Sequence, residues 1–256
     1  MRRERASALV MGTLLLALAW AAPGAAEEPA GAIARVSWFR AKPGMEKQLE
    51  EGLKRHMSWH RGQRDPWAWL IFQVLSGEDT GGYVGGVFGR QWEDFDSPPV
   101  SGEEDTADAQ ANVRLYTEGS VVQFYEFLPA VSRPAPADQP TLYEELVFEL
   151  HYGKSADFLY AIGKFHQAIE KTGWPAHYEW YELANGGSDP TFVLVLPRGK
   201  WADFKPLEKP FERMLEEAVG RPEAQALLDT FSRTVKNARS RILRARRDLS
   251  YIPGTE

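Results

Sequence analysis

His56-Met-Ser-Trp-His60 sets two imidazoles four residues apart on one helix face, the spacing of a pair of metal ligands. The glutamate that follows the first histidine in the zinc-protease motif is missing, and Met57 stands in its place. Two ligands without a third do not make a site, so no metal is expected. On this reading His56 lies under the helix edge and His60 faces solvent near the helix end, where positive charge is favoured. The other candidates are charges in strand-like stretches beside aromatic rings: Arg40, Glu145 and Glu149, close to Trp38 and Trp180. A charge buried by a sheet must be paired or must serve a ligand. The sequence has no phosphate-binding glycine loop, no G-x-S-x-G and no nucleophile with a base at a defensible spacing. No catalytic residue is assigned.

The elements that position these residues come in two copies. Residues 109 positions apart match without a gap: Phe39 with Phe148, Gly44 with Gly153, Leu49 with Phe158, Leu53 with Ile162, Pro66 with Pro175 and Gly77 with Gly186. The register closes on Trp92-Glu-Asp-Phe95 against Trp201-Ala-Asp-Phe204. A period this long marks a duplicated domain, because solenoid repeats run about 20–50 residues. Each copy reads strand, helix, strand, strand, helical region, strand. In the first, residues 33–41 alternate as a strand, Lys42-Pro43-Gly44 turns, and residues 45–59 carry Leu49, Leu53, His56 and Met57 at helical spacing. Residues 67–75 and 83–88 flank a glycine hairpin turn, and residues 120–128 form the last strand. In the second copy residues 206–219 and 222–235 read as two helices, and residues 241–247 as the final strand. Residues 96–111, polar and acidic, read as a loop with a short helix.

This order is the split β-α-β-β-α-β pattern of a ferredoxin-like unit. The expected units span residues 33–129 and 142–251, with a proline-rich linker over 130–141. Trp67, Trp69 and Ile71 lie on one face of the second strand and Leu70, Phe72 and Val74 on the other, so both sheet faces must be covered. The simplest cover is the other copy. The fold class is therefore α+β: two tandem ferredoxin-like units packed as one intramolecular α+β barrel, helices outside. Val36, Trp38 and Arg40 share a face of the first strand, and their counterparts are Glu145, Val147 and Glu149. If these faces look inward, Trp38, Arg40, Glu145, Glu149 and Trp180 line a polar, aromatic pocket, the default ligand site of such a fold. Glu179 or Glu182, on opposite faces of one strand, joins them. Arg40 and Glu149, at matching positions, are expected to pair across the barrel. Trp92 and Trp201, kept in both copies, read as core. Ile242, Arg244 and Arg246 form a basic stripe on a strand that reads as an edge protected by charge.

The first strand running into Lys42-Pro43-Gly44, the helix start Met45-Glu-Lys-Gln-Leu-Glu50, the glycine hairpin and the Trp-x-Asp-Phe segments resemble the dimeric α/β-barrel superfamily. Its members include antibiotic-biosynthesis monooxygenase-like, NIPSNAP-like and EthD-like domains. The resemblance covers residues 33–251 and implies a fold rather than a reaction. Members range from monooxygenases, isomerases and decarboxylases to proteins without known activity. It also implies that one duplicated chain supplies what others obtain by dimerising, so the protein is a monomer or a weak homodimer. Haem-degrading relatives use an asparagine on the first strand, where this chain has Ser37 and Trp38. The tandem haem proteins of chlorite dismutase type share the two-unit idea, and against them His166 is the candidate axial ligand, relevant only if haem is bound. Two functions stay open: a binding protein for a small organic ligand, without a reaction or cofactor, and a monooxygenase-type or haem-dependent enzyme using the barrel pocket.

Composition narrows the setting. Arg2, Arg3 and Arg5 precede an apolar run over residues 9–22, and Gly24-Ala25-Ala26 precedes Glu27-Glu28. Residues 1–26 read as a signal peptide, so a periplasmic or secreted protein is expected. No other stretch suits a membrane span, which leaves no membrane partner after cleavage. The net charge of −6 becomes −8 without the three arginines and Glu4 of that segment, the wrong sign for a nucleic-acid partner. The absence of cysteine excludes disulfides, cysteine-ligated zinc and thiol catalysis.

Overall fold

The structure is a computed structural model that describes residues 33–136 and 140–255. The expected signal peptide and linker residues 137–139 lie outside the described residues. The first half runs β1 (Ile33–Ala41), α1 (Glu46–Gln63), β2 (Leu70–Val74), β3 (Tyr83–Arg90), α2 (Trp92–Asp96), α3 (Gly102–Asn112) and β4 (Thr117–Phe127). The second runs β5 (Leu142–Leu150), α4 (Ser155–Thr172), β6 (Glu179–Asn185), β7 (Thr191–Arg198), α5 (Phe211–Val219), α6 (Arg221–Thr234) and β8 (Val235–Ala245). The starts of β1 and β5, of α1 and α4, and of β2 and β6 are each 109 residues apart.

Each half forms an antiparallel sheet, ordered β4-β1-β3-β2 in the first and β8-β5-β7-β6 in the second. The sheets join at both edges, β2 to β8 and β6 to β4, closing an eight-stranded barrel. This is the tandem ferredoxin-like α+β barrel expected from the repeat. The helices pack outside. Leu49 and Leu53 of α1 meet Ile71 and Tyr83 of the first sheet. Phe158 and Ile162 of α4, with Met214, Leu215 and Leu227 of α5 and α6, meet Phe148, Trp180 and Phe192 of the second. A third core of Val36, Val74, Val84, Val147, Leu183, Val193 and Leu243 fills the barrel itself. No helix among the described residues is long and apolar enough to cross a membrane.

Four expectations are corrected. The last strand is not an edge: β8 is hydrogen-bonded to β5 on one side and β2 on the other. It also begins at Val235, where a helix was expected to end, because Leu150 of β5 pairs with Val235 and the ladder extends over the whole of β5. Trp92 and Trp201 are not core: they are 48% and 55% exposed, with their rings tilted against Phe95 and Phe204 respectively. The acidic stretch is more than a short helix. Ser101 caps α3 by accepting a hydrogen bond from the Glu104 amide, and Glu103, Glu104 and Asp105 complement the positive end of the helix.

Helix α3 crosses α1 at Gly52, where an added Cβ would stand 1.9 Å from the Asn112 carbonyl oxygen. Gly62, in the same helix, has nothing within 4 Å of that position. In chemical denaturation Gly52→Ala is expected to lose about 1–3 kcal/mol by overpacking. Gly62→Ala should be neutral or gain up to about 1 kcal/mol, since an open helical site favours alanine. Equal effects at the two positions would contradict this crossing.

Candidate functional site

Alternation along the strands sends Ala34, Val36 and Trp38 of β1, Leu70 and Phe72 of β2, Tyr143 and Glu145 of β5, Glu179 and Tyr181 of β6, and Leu243 of β8 to the inside of the barrel. They enclose a cavity of about 230 Å³, completed by Val84, Phe88, Tyr125, Val193 and Val195. Eight strands leave an interior just wide enough to be filled by side chains or to hold one small ligand. Valines and aromatic rings form most of the wall.

Glu145 is the polar floor of this cavity, and it is ion-paired. Glu145 and Arg241 face each other across the β5–β8 ladder. Arg241 Nε donates to Glu145 Oε1 at 2.7 Å, and a second guanidinium nitrogen contacts the same oxygen. The guanidinium also lies over the Trp38 ring, 3.6 Å from its centroid, and reaches Asp79 at 3.3 Å. Both side chains of the pair are largely buried, at 8% exposure for Glu145 and 11% for Arg241. Burial pushes the Glu145 carboxyl above the usual carboxylate range, against the opposing pull of Arg241. Beside them the Tyr125 hydroxyl donates to Gln123 Oε1 at 2.9 Å, and Trp38 Nε1 is buried without a hydrogen-bond partner. Toward the starting ends of β5 and β6, Tyr181 donates to Glu179 at 2.6 Å. Tyr143 has its pKa pushed up to about 12 by burial and then by the Glu179 charge. The Tyr125 hydroxyl is raised further, again by burial and then by Glu145. Both phenols therefore stay protonated; the Tyr125 proton is given to Gln123, and Tyr143 is the phenol placed to donate to a ligand.

Of the residues expected at the site, Trp38 and Glu145 are brought together on the cavity wall. Arg40 and Glu149 are not, and they do not pair with each other. Arg40 pairs with Asp79 at the exposed rim, and Glu149 with Arg239. Trp180 does not line the cavity: Glu179 points inward, so its neighbour points outward, and Trp180 packs on Phe148 and Phe158 under α4. His60 is fully buried rather than solvent-facing, and the expected lack of a third metal-ligating group is contradicted, because Asp105 of α3 lies against both His56 and His60. The main residue missed is Arg241. The basic stripe was read on Ile242, Arg244 and Arg246, the outward face, where Arg246 pairs with Glu50 and Asp248. The alternate residues Arg239 and Arg241 carried the inward charge, and only the β5–β8 register shows it.

No family model matches the sequence, and no curated protein does. Solved structures do match. A proposed monooxygenase from Lactobacillus acidophilus NCFM superposes with a TM-score of 0.55 at 8% identity, over 88% of this chain and 97% of that one. An anthrone oxidase-like protein gives 0.54 at 13% identity, over 89% and 96%. A chlorite dismutase from Candidatus Nitrospira defluvii gives 0.52 at 11% identity, over 86% and 93%. The fold is that of the dimeric α+β barrels. Nothing among these neighbours points to the NIPSNAP-like branch.

His166 is the residue expected as an axial ligand should haem be bound. It does not fit. His166 sits on α4 outside the barrel, with Nδ1 hydrogen-bonded to the Tyr178 hydroxyl at 2.8 Å. The layer between α4 and its sheet is filled by Phe148, Phe158, Trp180, Phe192 and Phe231, with successive ring centroids 4.8–6.0 Å apart. A planar macrocycle has no room there.

The floor can be tested through its energetics. Removing either partner of a buried pair strands the other charge, so Arg241→Met or Glu145→Leu alone should cost about 3–5 kcal/mol in equilibrium unfolding. The double variant should cost much less than the sum. Arg40→Ala, at the exposed rim, should cost no more than about 1 kcal/mol. Small and equal losses in all four proteins would mean that Glu145 and Arg241 are solvated.

Proposed function

We propose that the protein binds a small, planar, mostly apolar compound bearing an oxygen acceptor, inside the barrel. The observation that carries this reading is a preformed, mostly apolar cavity whose two wall carboxylates are both engaged, Glu179 by the Tyr181 hydroxyl. Glu145 is matched by Arg241, and the Tyr125 and Tyr143 phenols are held protonated. A charged ligand would have to leave water for a site with no spare countercharge on its floor. A neutral aromatic phenol or ketone gives up little and gains both ring contacts and a phenolic donor. The size agrees. A dry cavity of ~150 Å³ accepts benzene, so about 230 Å³ suits one ring or two fused rings. One fold neighbour is anthrone oxidase-like by name, and anthrone is a fused aromatic ketone, which supports the chemical class of ligand.

A second reading, a monooxygenase-type reaction in the same cavity, is favoured by Glu145. It is a wall carboxylate whose proton affinity is raised by burial, placed to accept a proton from an acidic ligand. On this reading Glu145→Gln keeps ligand affinity and loses oxygen uptake; on the first, there is no uptake to lose.

Titration with 1-naphthol, followed by quenching of tryptophan fluorescence, tests the binding. Saturable one-to-one binding is expected. Val195→Trp, which fills the cavity from its half-buried side, should abolish it without lowering the melting temperature. Undiminished binding in that variant would place the ligand elsewhere.

A further inference from the structure

Outside the barrel, between α1 and α3, three acceptor atoms converge with no donor among them. Asp65, buried just after α1, accepts from the Trp67 amide and from Trp69 Nε1, at 2.8 and 2.9 Å. With both oxygens already accepting, Asp65 also accepts from the His60 Nδ1–H, at 2.8 Å. This fixes His60 with its Nε2 lone pair bare. Asp108 does the same for His56: its Oδ1 lies 2.8 Å from His56 Nδ1, while its Oδ2 accepts from Asn112 at 3.1 Å. Both bare Nε2 atoms then face Asp105 Oδ1, at 3.4 Å from His56 and 3.5 Å from His60. His60 Nε2 and Asp105 Oδ1 are buried with no hydrogen-bond partner. Arg35 on β1 is close enough for its charge to interact with Asp105, yet it does not bond that oxygen.

We propose that His56, His60 and Asp105 bind a divalent transition-metal ion. Lone pairs turned toward one another repel unless a cation lies between them. The spacing suits such a cation: ligands held at ~2.1 Å in tetrahedral directions are about 3.4 Å apart, which is the separation of each imidazole nitrogen from Asp105 Oδ1, and all three ligand atoms lie within 4.8 Å of one another. A shared proton would draw its two heavy atoms below about 3 Å. Two imidazoles and one carboxylate make the donor set of zinc and of non-haem iron(II), and they leave coordination positions for water or a substrate. Each imidazole is oriented by a carboxylate on its other nitrogen, as metal-ligating histidines are. The His60 ring is further clamped by stacking on Trp69, 4.7 Å between centroids. The second copy has Phe165 and Ile169 at the positions of the two histidines, so the site belongs to the first copy alone.

The test uses the full chain, stripped with a chelator and titrated with Zn²⁺ and separately with Co²⁺, whose visible spectrum reports imidazole ligation and coordination number. One equivalent of each ion is expected, with a rise in melting temperature. Asp105→Ala, on the partly exposed side of the site, should abolish the Co²⁺ spectrum while remaining folded by circular dichroism. Asp108→Asn, which touches no metal, should weaken Zn²⁺ binding about 10–100-fold. Absence of stoichiometric binding in the parent chain overturns the proposal. So does binding that is unchanged in both Asp105→Ala and His56→Asn.

Discussion

Two four-stranded sheets have four edges, and the architecture follows from pairing them with each other. Once β2 is bonded to β8 and β6 to β4, no backbone edge is left open and every strand has one inner and one outer face. The inner faces see only one another. Any charge among them must find its partner inside, which is why Glu145, Arg241 and Trp38 form a single stack and why Asp79, from the β2–β3 turn, leans over it. The same closure sends Trp180, Phe148 and Phe192 outward to the helices. Cavity and helical layers are two consequences of one hydrogen-bonded ring.

The two copies agree where they pack and differ where they could act. Helix-facing positions stay alike: Phe39 and Phe148, Leu49 and Phe158, Tyr83 and Phe192. Inside the barrel, Val36 answers Glu145, Val147 answers Trp38, and Gln123 stands on β4 where Arg241 stands on β8. The ion pair therefore exists once, and the cavity is polar on one side only. The histidine and aspartate cluster follows the same rule, present against the first sheet and replaced by apolar residues against the second. Selection for packing preserves a repeat; selection for a ligand has no reason to preserve it twice.

This also sets what the sequence could disclose. The repeat, the strand order and the inward face of β1 and β5 were legible, because alternation and a 109-residue register need only local pattern. Trp38 and Glu145 were found that way. Arg241 was not, because alternation does not say which face of the last strand looks inward, and the β5–β8 register that decides it pairs residues 96 positions apart. Trp180 follows the inward Glu179 on β6 and so points outward, a parity that its aromatic character does not disclose. The burial of His60 is not legible locally, because the residues that cover it, Trp69, Tyr251 and Asp105, come from the segment before β2, the C-terminal segment and α3. Long-range closure decided each of these, and a local reading has no access to it.

The barrel is expected to hold a dry, preformed cavity above the Glu145–Arg241 pair. Diffraction from crystals under xenon pressure measures this without choosing a ligand, since xenon enters apolar cavities and leaves wet ones empty. Xenon density is predicted among Val36, Phe72, Val84 and Val193, with Arg241 still stacked on Trp38. A barrel interior that excludes xenon, or that holds a chain of ordered waters reaching Glu145, would contradict the account.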